Sequence, residues 1–180
     1  MAQEFVGQDL RVLPVSRYTQ PTRKAGACSG SANNGTVTDA TRGFRSLEHT
    51  ADRAIEAWGP DLRQLFAAAA EGMFSESVSC EGIAPEQEWN IEVEADSLEG
   101  LLHAWLSELL WVAERDGASV CRIEVESLQE SPYRLRGRAW GGAPPADMPH
   151  TGAPVKAVTY HDLRIWQQGD LWRVHVVFDV

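Results

Sequence analysis

The chain has 180 residues, of which 43% are hydrophobic and seven are tryptophan, so it is long and apolar enough for one domain with a hydrophobic core. The first 42 residues carry five basic and three acidic side chains, which leaves 11 basic and 23 acidic ones, and a net charge near −12, for the remainder. Because so negative a surface repels phosphate backbones, we expect no direct high-affinity binding of nucleic acid, and cations or a basic protein are better candidate partners.

The chain begins with a segment that we expect to be a flexible extension, residues 1–42. Its stretch 16–42 is rich in Ser, Thr, Gly and Asn and shows no sustained apolar period, so it cannot bury enough surface to offset the entropy of ordering. A single folded domain is predicted from residue 43 to residue 180.

The first half of this domain is predicted to contain two strands and a helix. Alternating apolar residues favour strands at 43–51 and 53–58. The helix should run from about Asp61 to Phe74, with Pro60 in its first turn, because apolar side chains recur there at helical spacing. These side chains are Leu62, Leu65, Phe66, Ala69 and Met73.

A second helix is predicted after a strand at 88–95, between an N-cap at Asp96 or Ser97 and a stop at Gly117. Its broad apolar stripe predicts packing across a sheet, and no chemistry is assigned to it. The sequence QQGD is expected to form the hairpin turn before the last of the remaining strands, which are predicted at 119–130, 133–140, 162–168 and 171–180. Without regular alternation of strands and helices, the pattern predicts an α+β fold with a largely antiparallel sheet and two packed helices.

Cysteine usage and hydropathy bear on the compartment. Cys28, Cys80 and Cys121 are odd in number and form no CxxC pair, so neither a disulfide framework nor a zinc site is indicated, and free thiols in a reducing compartment are expected. No apolar run approaches 18 residues, and the N-terminus lacks the features of a secretory signal. The sequence therefore predicts a cytoplasmic protein with no membrane association.

The first of three polar clusters is EHTAD, residues 48–52. On a regular strand Glu48, Thr50 and Asp52 share one face and His49 lies on the other, so His49 and Asp52 meet only across a bend or a bulge. The alternative to a functional pair is a structural histidine beside a solvated aspartate.

The second cluster is VKAVTYHDL, residues 155–163. Lys156 and His161 are five residues apart, an odd separation that puts them on opposite faces of a regular strand. A joint role therefore requires irregular backbone. The alternative is that the lysine is surface charge and the histidine is a hydrogen-bonded packing residue.

The third cluster is the end of the chain, VHVVFDV. Asp179 lies on the polar face of the predicted strand and is followed by Val180, so carboxylate oxygens are concentrated there. If Asp52 approached them, mutual repulsion would favour either proton uptake or a hard cation such as calcium or magnesium.

The chain resembles the archease family in four blocks, which have the family's order and similar separations: EHTADRAIEAWGPDLRQLFAAAAEGMF, DSLEGLLHAWLSELLWVAE, VKAVTYHDLRI and VHVVFDV. The resemblance covers residues 44–180. It implies a small acidic α+β protein that binds a divalent cation, described as calcium, and assists an RtcB-type tRNA-splicing RNA ligase. In that system the ligase guanylylates its own histidine with GTP, and archease promotes renewed guanylylation over many turnovers without being an enzyme. Magnesium and manganese are the alternative cations.

The resemblance also implies the metal ligands. Asp52 matches the aspartate of the HTAD block, and Asp179 and Val180 match the terminal pair, in which Val180 would ligate through a main-chain or terminal oxygen. One departure lies beside them, since the family usually has an apolar residue where this chain has Arg53. The extension before the family region is a second departure.

Further residues match characteristic family positions. His49, Lys156 and His161 are expected to orient the site or to contact the ligase, and Thr50, on the face of Asp52, is a candidate supporting residue. No catalytic residue is assigned. The alternative functions are a metal-dependent phosphoesterase, which would turn over substrate alone, and a chaperone-like binding module.

Overall fold

The computed structural model describes residues 41–47, 53–77, 80–147 and 153–180. Within these ranges the elements follow one another as β1 (Gly43–Leu47), β2 (Arg53–Gly59), α1 (Leu62–Ser75), β3 (Gln87–Ala95), α2 (Leu98–Asp116), β4 (Ser119–Glu130), β5 (Tyr133–Gly142), β6 (Ala157–Val158), β7 (Arg164–Gln168) and β8 (Leu171–Asp179). The predicted extension falls almost wholly outside the described residues.

The strands form two antiparallel sheets. The first has the order β1-β2-β8-β6, with β7 also paired to β8, and the second has the order β3-β5-β4. β2 pairs with one edge of β8 along residues 172–178, so β6 and β7 share the opposite edge. On that edge β7 pairs with the start of β8 and β6 pairs with its end. The predicted α+β class with antiparallel sheets is confirmed.

Both helices form where apolar spacing predicts them, but Pro60 lies before the N-cap of α1 and not in its first turn. The Asp61 carboxylate caps α1 by accepting a hydrogen bond from the Gln64 amide at 2.9 Å. The Ser97 hydroxyl caps α2 by accepting a hydrogen bond from the Gly100 amide. Gly117 ends α2 with a φ of 60°, a left-handed conformation that costs a glycine little. Among the described residues no helix combines the length and the apolar character needed to cross a bilayer.

One tryptophan joins the helices to the second sheet. Trp105 of α2 is 0% exposed, and its indole N–H donates to the Phe66 carbonyl of α1 at 3.3 Å. Its ring lies against β5 at Gly137, where an added Cβ would come within 2.7 Å of the ring. Since α1 also contacts β2 and α2 also contacts β6, one continuous core serves both sheets.

One part of the strand pattern differs from prediction, and another lies outside the described residues. β6 has only two residues, although residues 155–160 alternate as in a longer strand or a loop leading into one, because only Ala157 and Val158 pair with β8. The first predicted strand extends to residue 51, and its last four residues lie outside the described ranges. The QQGD turn is confirmed, with Gly169 at a φ of 62° between paired Gln168 and Leu171.

The prediction of free thiols is wrong for two of the three cysteines. Cys80 and Cys121 form a disulfide, with sulfur atoms 2.23 Å apart and Cα atoms 5.5 Å apart. The sequence separation of 41 residues hides this pair, because it is the packing of α1 against β4 that brings the connection after α1 beside β4. Cys28 lies outside the described residues.

Removal of this disulfide should destabilise the fold. Closing a loop of this length restricts the unfolded chain, so we expect the C80S/C121S double variant to lose about 2 to 4 kcal/mol of unfolding free energy. Urea denaturation of the oxidised protein and the variant measures the difference. As a control, reductant should lower the midpoint of the parent protein and leave the variant unchanged, and equal midpoints for oxidised parent and variant would contradict the expectation.

Candidate functional site

The predicted site residues divide into two groups. His49, Thr50 and Asp52 lie outside the described residues. Lys156, His161, Asp179 and Val180 are described: Lys156 directly precedes β6, His161 lies between β6 and β7, Asp179 ends β8 and Val180 follows it. We call residues 156–163 the 156–163 segment.

The 156–163 segment is attached to the end of β8 by main-chain hydrogen bonds. The Lys156 amide donates to the Asp179 carbonyl at 2.8 Å, and Ala157 pairs with Asp179 in the sheet. The amide of Thr159 donates to the Val177 carbonyl at 3.1 Å, and its hydroxyl donates to the same oxygen at 2.9 Å. The structure therefore brings Lys156 and Asp179, which are 23 positions apart in the sequence, side by side.

The chemistry of the described donors suits a hard cation. The Asp179 side chain is exposed and has no ion-pair partner among the described residues, whereas the side chain of Val180 packs against the core. Exposed carboxylate and main-chain oxygens are what calcium and magnesium prefer. The described residues hold no group of three or more His, Cys, Asp or Glu side chains able to bind a metal, and the third proposed donor, Asp52, is not among them.

Arg53, the departure from the family pattern, has a structural role. Its guanidinium donates to the Glu76 carboxylate at 2.8 Å and to the Glu76 main-chain oxygen at 3.2 Å, just beyond the end of α1. The Ser46 hydroxyl donates to the other carboxylate oxygen. Glu76 is only 6% exposed, so Arg53 supplies the positive charge that a buried carboxylate requires.

His161 lies on irregular backbone, as a joint role with Lys156 requires. Its Nε2 is 3.4 Å from a carboxylate oxygen of Asp162, and both side chains are 67% exposed. Asp162 has a φ of 51°, and its carbonyl accepts a hydrogen bond from His175 Nδ1 at 3.3 Å. The turn therefore separates His161 from the regular pairing of β6.

A polar edge of α2 was missed by the sequence interpretation, which assigned this helix to packing alone. The carboxylate of Glu99 accepts from the Ile165 amide at 3.3 Å, and His103 Nε2 lies 3.0 Å from the Val158 carbonyl. Ser107 follows, with its hydroxyl 3.5 Å from His103 Nδ1. The available signal was three polar residues spaced four apart, which share one edge of a helix.

The His103 ring also packs against the 156–163 segment. It is stacked on the Tyr160 ring, with centroids 4.0 Å apart and planes inclined by 5°. Burial lowers the pKa of His103, and the hydrogen bond to Val158 opposes this only in part. The imidazole is therefore neutral near pH 7.

An apolar groove lies beside Lys156. It has a volume of about 380 Å³ and opens between the ends of α1 and α2 and the 154–156 stretch, with Phe74, Leu110 and Val155 among its walls. The Ser77 hydroxyl holds one wall by accepting from the Val155 amide at 3.2 Å. The groove could receive an apolar side chain next to the lysine.

The Arg53–Glu76 pair should show strong coupling. We expect R53M to cost about 2 to 3 kcal/mol of unfolding free energy, because it leaves a buried carboxylate uncompensated. E76Q removes that charge, so the double variant should be more stable than R53M alone. Urea unfolding of all four proteins gives the coupling free energy, and simple additivity would contradict a paired charge.

His103 should make stability depend on pH. Its folded-state pKa lies below the ordinary value of 6.5, so its contribution is fully present above that value and is lost as the pH falls towards the folded-state pKa. Relative to H103Q, the parent protein should therefore lose unfolding free energy between about pH 8 and about pH 5. Denaturant titrations of both proteins at each pH measure their unfolding free energies. A difference between the two proteins that stays constant with pH would contradict the expectation.

Comparisons of sequence and of structure relate this chain to known proteins. A sequence model of the Archease protein family matches residues 44–180. Protein archease of Pyrobaculum neutrophilum is 34% identical over 139 residues, covering 76% of this chain and 95% of its own. That of Pyrococcus furiosus is 35% identical over 141 residues, covering 77% of this chain and 99% of its own.

The solution structure of Methanobacterium thermoautotrophicum protein 1598 has a TM-score of 0.65 at 26% identity, covering 77% of this chain and 99% of its own. A Thermotoga maritima crystal structure described as "an archease, possible chaperone" shares the fold, with a TM-score of 0.53 at 24% identity and coverage of 74% and 94%. The chain belongs to the archease family.

Proposed function

We propose that this protein is a non-enzymatic activator of an RtcB-type RNA ligase in the cytoplasm, and that it works with a bound divalent cation. The observation that carries the proposal is the main-chain hydrogen bond from Lys156 to Asp179, which places a lysine and an exposed aspartate on neighbouring backbone at the end of β8. Membership of the archease family supplies the context.

The cation would be held by the carboxylates of Asp52 and Asp179 and by a main-chain oxygen of Val180. The register of β2 supports this set, because Arg53 pairs with Phe178, the residue before Asp179. In the sequence Asp52 directly precedes Arg53, as Asp179 directly follows Phe178. Such oxygen donors favour calcium, with magnesium or manganese as alternatives.

The partner is proposed on the basis of charge. The chain carries a formal net charge of −10, and an RNA ligase site that binds RNA ends and GTP must be basic. An acidic edge at Asp179 would be steered towards such a site. There Lys156, His161 and His49 could contact the guanylylation intermediate. Thr50 would support Asp52 as a metal ligand. When bound, the cation supplies positive charge that offsets triphosphate charge during guanylylation. The groove beside Lys156 offers the partner an apolar anchor point.

Two alternatives make different predictions. A metal-dependent phosphoesterase would turn over substrate without a ligase, but it would need a base to activate water, and the net charge disfavours phosphate substrates. A chaperone-like binding module, in keeping with the description of the Thermotoga maritima protein, would gain no thermal stability from calcium.

Ligation under multiple-turnover conditions tests the proposal. With excess RNA substrate and a cognate ligase, we expect the parent protein to raise the turnover number, and D52N and D179N to abolish that effect while weakening calcium binding by at least about tenfold. The isolated protein should hydrolyse no phosphate ester.

A matched control variant lies at the other end of the same strand. Asp170 is an exposed aspartate in the turn before β8, so D170N removes one negative charge without touching the proposed ligands. It should stimulate the ligase as the parent protein does. Full stimulation by D52N and D179N would refute the metal-dependent part, and no stimulation by the parent protein would refute the activator function itself.

A further inference from the structure

The 156–163 segment has little regular structure of its own. Only Ala157 and Val158 belong to a strand, and Tyr160 remains 57% exposed. An exposed aromatic ring on such a segment ordinarily keeps considerable rotational and backbone freedom. Yet the segment carries Lys156 and His161, whose positions relative to β8 matter for any contact with a partner. β8 holds residues 156–159 by hydrogen bonds and strand pairing, and α2 adds further contacts through His103.

We propose that His103 is a positioning residue, which holds the 156–163 segment from α2 so that Lys156 and Tyr160 are presented to a partner in one fixed arrangement. The identity of that partner rests on the proposed function, whereas the holding of the segment does not. Two contacts carry the proposal, a directed hydrogen bond and a ring stack, and both come from the same imidazole.

The hydrogen bond defines the tautomer of His103. The Val158 carbonyl can only accept, so Nε2 at 3.0 Å must carry the proton. Nδ1 of the neutral ring is then an acceptor, and the Ser107 hydroxyl, one turn further along α2 and 3.5 Å away, can donate to it. Ser107 thus favours the tautomer that the Val158 contact requires.

The stack restrains the side chain of Tyr160. Parallel rings with centroids 4.0 Å apart cover one face of Tyr160, and more than half of the side chain stays accessible. After Tyr160 in the sequence, the Asp162 carbonyl accepts a hydrogen bond from His175. His103 and His175 therefore each bond to a main-chain carbonyl, at Val158 before Tyr160 and at Asp162 after it in the sequence.

Substitutions at His103 can separate the two contacts. In H103F an aromatic ring remains but the Nε2 donor is lost, so the Val158 carbonyl is left without its partner. In H103Q the side-chain amide can place an N–H near the former Nε2 position, while the stack on Tyr160 is lost. W89F is the matched control, because it deletes a different part-buried hydrogen bond to α2, from Trp89 of β3 to Asp116 at the end of the helix, at 2.7 Å.

NMR spectroscopy tests the positioning without any ligase. In the parent protein the His103 nitrogen resonances should report a protonated Nε2 and an unprotonated Nδ1. H103F should shift the backbone amide resonances of residues 156–163, H103Q should restore part of that shift, and W89F should leave these resonances unchanged. An Nδ1-protonated tautomer, or equal effects of H103F and W89F on the segment, would overturn the proposal.

Ligase stimulation tests the consequence of positioning. We expect H103F to raise the protein concentration needed for half-maximal stimulation on the order of fivefold, the usual effect of losing one hydrogen bond, with calcium affinity unchanged. H103Q should recover part of the loss, and W89F should match the parent protein. If H103F stimulates with unchanged half-maximal concentration although NMR shows the segment displaced, positioning for the partner is refuted. If the parent protein does not stimulate at all, the proposed function fails while the NMR result stands.

Discussion

The structure depends above all on the antiparallel register of β8. This strand is the only one in the described part of the chain that pairs with three others, β2 along one edge and β6 and β7 along the other. Its register sets Ala157 opposite Asp179 and Arg53 opposite Phe178. A slip of one residue would turn Asp179 towards the core and move a buried apolar residue to the surface, so burial of the core face also fixes the site.

The second helix serves both the core and the site. Its apolar face holds Trp105 between α1 and β5, which packs the helix into the core. Its polar edge then contacts the 156–163 segment from a packed element. Loops that carry contact residues are best positioned by such packed elements, since a site is only as precise as the scaffold behind it.

The sequence predicted those parts of the fold that depend on neighbouring residues. The helices followed from apolar spacing and, for α2, from the caps at Ser97 and Gly117, all of which act over a few positions. The Cys80–Cys121 bond and the pairing of β6 could not be predicted, because each depends on residues brought together only by packing. The same holds for the candidate site: Asp179 and Lys156 could be named as candidates from motifs, whereas their adjacency and the contact of His103 with Val158 required the tertiary structure.

The ion pair between Arg53 and Glu76 restricts the order in which these two positions can change. Had the arginine been lost first from an ancestor like this chain, the buried carboxylate would have stood alone during the intermediate step, which selection against unfolded protein would remove. A path through a neutral side chain at position 76 avoids that step. The two positions should therefore vary together among relatives, and their order of substitution should be traceable on a family tree.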